Sequence, residues 1–144
     1  MSITQRLRER LARQDGVAAL EFAIVSMVFL VLLYGILTYG FIYGLDQSMN
    51  HAAEEGARAA ISKTTSADAI THARTTALER LSWMGGSITL GDIAATVDPC
   101  VNDTSVDCIT VTITYPWDTK PIVPKFVGLP TPNQLIASAV IELT

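Results

Sequence analysis

One carboxylate in this sequence stands where a carboxylate is costly. Glu21 directly precedes Phe22–Leu45, a run of 24 residues without a charged side chain. An acidic group at the centre of a membrane helix costs about 2.5 to 3.5 kcal/mol, and less towards the headgroups, so Glu21 calls for the interface or for a cation. No basic residue lies between Arg13 and Arg58 to supply one. Hydrolysis of the peptide bond after Gly16 would supply it. The new α-amine of Val17 would stand four residues before Glu21, on one face of a helix and about 6 Å away along its axis. The chemistry these residues invite is therefore done to the chain rather than by it. The alternative is that Gly16 merely frays the helix as it leaves a membrane while Glu21 reaches the headgroups.

A second reactive pair lies far along the chain. Cys100 and Cys108 are the only cysteines, within PCVNDTSVDC. In an oxidising compartment one even pair closes as a disulfide, and the alternative is two buried free thiols. Asp98, Asn102, Asp103 and Asp107 crowd the same loop, but without the spacing or the glycine of an EF-hand, so a solvated loop is the expectation and no metal site is assigned. His51 and His72 are remote in sequence from the cysteines, which argues against zinc. There is no G-x-S-x-G, no H-E-x-x-H and no phosphate-binding glycine loop, so no catalytic residue and no cofactor is expected.

The elements that must position these groups begin with the apolar run. As a helix it is about 36 Å long, enough to cross a hydrocarbon core of about 30 Å with some tilt. In a chain of 144 residues, 49% of them hydrophobic, a soluble domain would struggle to bury such a helix on every side. A cleaved secretory signal would have a shorter apolar stretch than this one. Charge is divided about the run. Arg6, Arg8, Arg10 and Arg13 outnumber Glu9 and Asp15 before it, whereas residues 46–144 carry six basic against eleven acidic side chains. Basic flanks are retained in the cytoplasm, so the amino-terminal end is expected inside and residues 46–144 outside. The net charge of −4 also excludes the basic face of a nucleic-acid binder.

Gly16 followed at the fifth position by Glu21 and then Phe22, heading an apolar helix, resembles the processing site of type IV prepilins. The continuation GVAALEFAIVSMVFLVLLYGILTYG, with NHAAEEGARAAI at Asn50–Ile61, resembles the TadE-like family of minor pilins or pseudopilins from tight-adherence, Flp-type pilus systems. The likeness covers roughly residues 14–62. It implies a basic cytoplasmic leader, 1–16, removed by a prepilin peptidase, with Gly16 before the cut and Val17 the new amino terminus. It further implies a transmembrane stem, 17–45, and an extracytoplasmic domain, 46–144, on a single-pass protein of the cytoplasmic membrane. The implied partners are the peptidase, other pilins or pseudopilins, the assembly platform and the lipid bilayer. Glu21 and Phe22 would serve recognition during assembly. The reading from a different class is an unprocessed envelope scaffold that recruits partners through its outer domain.

Gly40 and Gly44 form a G-x-x-x-G pair that would admit a second helix backbone, although glycine is simply more frequent in membrane helices. Tyr43 suits an interfacial belt. The helix is expected to continue to about residue 62, with Met49, Ala52, Ala53, Ala57 and Ala60 on one side and Gly56 marking close packing. Thr65 or Ser66 should cap a second helix whose apolar side is Ile70, Ala73, Ala77, Leu78, Leu81 and Met84, ended by Gly85-Gly86. Strands are predicted at Ser87–Val97, Asp107–Tyr115 and Leu135–Leu143. Trp117 and Phe126, in the proline-containing connection between the last two, are expected to cover the core. The fold class is α+β, with a long stem, a second helix and a small three-stranded antiparallel sheet packed on the outer half of the stem.

Overall fold

Proline is absent from the first 98 residues, and the first element uses that freedom. The computed structural model describes residues 3–125 and 128–143, with side chains from residue 16 onward. Helix α1 spans Ile3–Ala60. It therefore starts well before the stem expected from residue 17 and carries helical backbone straight through Gly16. The leader's charged side chains and Phe126 lie outside the described residues. The chain divides into two compact units, Met1–Gly40 and Phe41–Thr144. The first is helical. Its side chains from Val17 to Leu37 include a nearly unbroken series of exposed large apolar groups.

In the second unit, α1 turns a different composition inward. Ile42, Leu45, Met49, Ala52, Ala53, Ala57 and Ala60 are buried. Ile42 and Leu45 thus belong to the core of this unit although they close the uncharged run. The helix ends where Lys63 N–H and Ile61 N–H fall back on the carbonyls of Ala60 and Arg58, with Arg58 favourably placed at the negative end of the dipole.

Helix α2, Ser66–Arg80, is capped by Thr65, whose hydroxyl accepts from Asp68 N–H at 3.2 Å and donates to the Asp68 carboxylate at 2.7 Å. Its inward stripe is Ala69, Ala73 and Ala77, one helical turn apart. Small side chains here let α1 come close. A Cβ on Gly56 would lie 2.6 Å from the Ala73 carbonyl oxygen and 3.0 Å from Ala77 Cβ. The α-helix stops four residues short of the predicted limit, because a 3-10 turn, Ser82–Met84, intervenes before Gly85 takes up the left-handed φ of 62°.

The sheet is a meander in the order β1-β2-β3, antiparallel throughout, with β1 at Ile93–Pro99, β2 at Asp107–Tyr115 and β3 at Leu135–Leu143. The strand expected from Ser87 begins only at Ile93. Thr89 and Asp92 close a 3-10 turn first: Thr89 N–H and its hydroxyl both donate to Asp92 Oδ2 at 2.8 Å. Arg74 of α2 secures that turn, its guanidinium donating to the carbonyls of Ile93 at 2.9 Å and Leu90 at 2.5 Å. Ile93, Ile113 and Ala137 stand side by side across the three strands on the inner face, as do Val97, Ile109 and Ile141. Thr110, Thr112 and Thr114 point the other way, and Thr112 meets Ser138 at 3.3 Å. Alternation of β-branched apolar and threonine residues matches a half-covered sheet.

The connection from β2 to β3 is held by aromatic anchors. Trp117 is 1% exposed and sits edge-on to Tyr115, with ring centroids 6.3 Å apart. Core cover, as expected of Trp117, is thus its place. The Tyr115 hydroxyl donates to the Lys120 carbonyl at 2.6 Å, and Asp118 N–H donates to the Asn133 carbonyl at 2.8 Å.

Two outcomes follow from this packing. Gly56→Ala should destabilise the protein by about 1 to 3 kcal/mol despite the higher helix propensity of alanine, because a backbone carbonyl cannot yield as a side-chain end can; denaturant titration in detergent measures it. Burial raises the Tyr115 pKa above its ordinary 10.0. The native state then holds this proton more tightly than the unfolded chain, so the contribution is intact below about pH 10 and is lost as pH climbs through the folded value. Alkaline melts of the parent should fall more steeply above that pH than those of Tyr115→Phe.

Candidate processing and assembly site

Gly16 and Val17 occupy consecutive positions on α1, and Glu21 follows Val17 by four residues, just over one turn. Among the described residues, nothing lies within 4 Å of where a Gly16 Cβ would be. Val17 and Phe22 are exposed, and so is Glu21. Among the described residues, no hydrogen bond or ion pair reaches the Glu21 carboxylate. The helix thus presents the arrangement in which a cation at Val17 N would face an acid one turn on.

Farther along α1, Gly40 and Gly44 are one turn apart and exposed, and a Cβ on either would meet nothing within 4 Å. Tyr43 between them is 72% exposed. His51 is an exposed helix residue whose Nε2 lies 3.1 Å from Gln47 Nε2. Among the described residues, no cluster of three or more His, Cys, Asp or Glu side chains could hold a metal ion.

The other reactive pair is joined. Cys100 and Cys108 form a disulfide with Cα atoms 5.0 Å apart, tying the residue after β1 to the second residue of β2. Cys100 N–H also donates to the Val106 carbonyl at 2.9 Å. Within the loop, Ser105 donates to Asp103 Oδ1 from its hydroxyl at 2.6 Å and its backbone N–H at 2.9 Å. These two bonds hold the Asp103 carboxyl below its usual pKa. The acidic loop is accordingly an organised turn, folded on its own serine.

Residues 16–58 match the model of the family described as TadE-like protein. This chain carries a TadE-like stem. The searches of curated proteins and of solved structures gave no match. The TadE-like family is a structural one, associated with the tight-adherence pilus in a minor-pilin-like role that involves other pilins and membrane assembly machinery. The TadE-like region takes in all the uncharged run, and the helix from Gly16 to Ala60 is apolar and long enough for a single-pass anchor.

Two features of the second unit escape a reading of motifs. Arg74 works as a bracket for backbone carbonyls and has no sequence signature. Trp83, 62% exposed on the Ser82–Met84 turn, falls where a helix was expected to end. The signal available for Trp83 was the uncharged stretch Leu81–Gly91 around it.

Opening the disulfide should cost about 2 to 3 kcal/mol in the chain-entropy model, given its short loop. The Cys100→Ser, Cys108→Ser double variant and the reduced parent should melt at the same lowered temperature, and calorimetry with and without reductant compares them.

Proposed function

We propose that the chain is a minor pilin or pseudopilin that helps initiate or regulate assembly of a tight-adherence, type IVb pilus after a prepilin peptidase removes residues 1–16. The observation that carries this reading is the extent of the family match, which starts at Gly16 and runs through the stem. Cleavage after Gly16 leaves an ammonium at Val17 where Glu21, without a partner among the described residues, needs one. In a low-dielectric bundle of stems, a carboxylate paired with its own or a neighbour's amine is tolerated, whereas one left unpaired by misregistered packing is strongly penalised. Glu21 therefore acts as a register key and Phe22 lies beside it on the exposed surface. Gly40 and Gly44 offer a neighbouring stem a close backbone approach. The leader lies on the cytoplasmic side of the inner membrane and the outer domain on the periplasmic side, as the basic flank requires.

The continuous helix through Gly16 favours the competing reading, an unprocessed single-pass scaffold, because a peptidase must gain access to the bond it cuts. Processing therefore requires local unwinding, which glycine eases by about 1 kcal/mol relative to alanine. Intact mass of membrane-extracted protein separates the readings. With the peptidase present the mass should correspond to a chain beginning at Val17; a full-length chain with and without peptidase decides for the scaffold. Gly16→Leu should leave precursor in the membrane. Glu21→Ala should be cut normally yet appear in filaments at about a tenth of the parent level or less, as loss of one member of a buried pair implies; quantitative blotting of sheared filaments measures it.

A further inference from the structure

The second unit has an exposed tryptophan that is hydrogen-bonded to α1 just beyond the uncharged run. Within the Phe41–Thr144 unit, α1 begins with Phe41 and Tyr43 exposed, and its first charged residue is Asp46. Trp83 Nε1–H donates to Ser48 Oγ at 3.3 Å. Ser48 stands one turn after Gly44 and two turns after Phe41, so the indole lies along the face of α1 that those residues share. Its level is about 5 to 8 Å beyond Leu45 and Tyr43. The headgroup layer on one side of a bilayer is of the same thickness, about 5 to 7 Å. Trp83 also sits in a run, Leu81–Gly91, without a charged side chain, in which Leu90 is exposed as well. An exposed indole with one hydrogen-bonding edge is the side chain most suited to the boundary between acyl chains and headgroups.

We propose that the Ser82–Met84 turn is a second membrane contact, which seats Trp83 in the headgroup layer beside the stem. It rests on the reading of α1 as a membrane span. One helix leaves the second unit free to rotate about the membrane normal, whereas a second contact to one side of it restricts tilt and orients the unit before extraction. Leaving the bilayer then requires Trp83 to give up its lipid surroundings.

The test uses the full chain in phosphatidylcholine vesicles, with Trp83→Phe as the comparison. Trp83 is exposed and Trp117 is buried in the core, so the difference between the two proteins reports Trp83 alone. Lipids brominated close to the headgroup should quench that difference signal at least about twofold more than lipids brominated at the chain ends, and aqueous iodide should quench it weakly. Protein that stays in the vesicles after an alkaline wash but shows iodide quenching without bromolipid quenching overturns the second contact and leaves the span standing. Shielding that appears only at high protein-to-lipid ratio points to a second copy and also overturns it. Failure to float with vesicles removes the span and the inference together.

Discussion

An apolar helix with its side chains turned outward needs a solvent other than water, and that need organises the protein. No residue of the most apolar window of α1 is buried by the chain itself. Each exposed valine, leucine or phenylalanine there carries a transfer free energy of about 1.5 to 3 kcal/mol that only lipid or neighbouring apolar helices can recover. A bilayer or a bundle of apolar helices would each supply it, and passage from one to the other would exchange one apolar environment for another. Such an exchange is close to balanced, so polar features carry the discrimination. Between Gly16 and Leu45 the only charged side chain is the carboxylate of Glu21.

The second unit, Phe41–Thr144, obeys the opposite rule and closes its own core. It does so with small residues between helices and large ones on the sheet. Ala69, Ala73 and Ala77 allow α2 to approach α1 until Gly56 touches backbone, which brings the two helices together without bulky side chains. The large apolar groups, Ile93, Ile109, Val111, Ile113, Tyr115 and Trp117, belong to the sheet and the connection after it. Helix α2 contacts β1 and β2, and Arg74 binds the turn that leads into β1. The disulfide braces the next connection, between β1 and β2. In a unit this small, a covalent brace contributes a substantial share of a net stability that is itself only about 5 to 15 kcal/mol.

Separate demands on the stem and the second unit also explain where the TadE-like match lies. The stem must keep apolar side chains along the whole of its exposed length. The sheet asks only for alternation and a filled interior, which many sequences satisfy. The matched residues 16–58 accordingly lie on α1 and take in the whole uncharged run, whereas the sheet lies outside them.

Local patterns in the sequence were enough to locate the long apolar helix, the Thr65 cap, the buried face Met49, Ala52, Ala53, Ala57 and Ala60, and the limits of β2 and β3, because each depends on periodicity or on a contact between residues close in the chain. They were also enough to pair the cysteines, since there were only two. Tertiary structure alone decided the rest. That Gly56 must be glycine depends on a carbonyl of another helix. That β1 starts at Ile93 depends on an arginine nineteen residues earlier capturing the turn before it. That Ile42 and Leu45 belong to a protein core, and Trp83 to the surface beside Ser48, depends on how the second unit folds back along α1. Periodicity records which side of an element is apolar, but not which neighbour will cover it, and that choice is made by contacts between segments far apart in the chain.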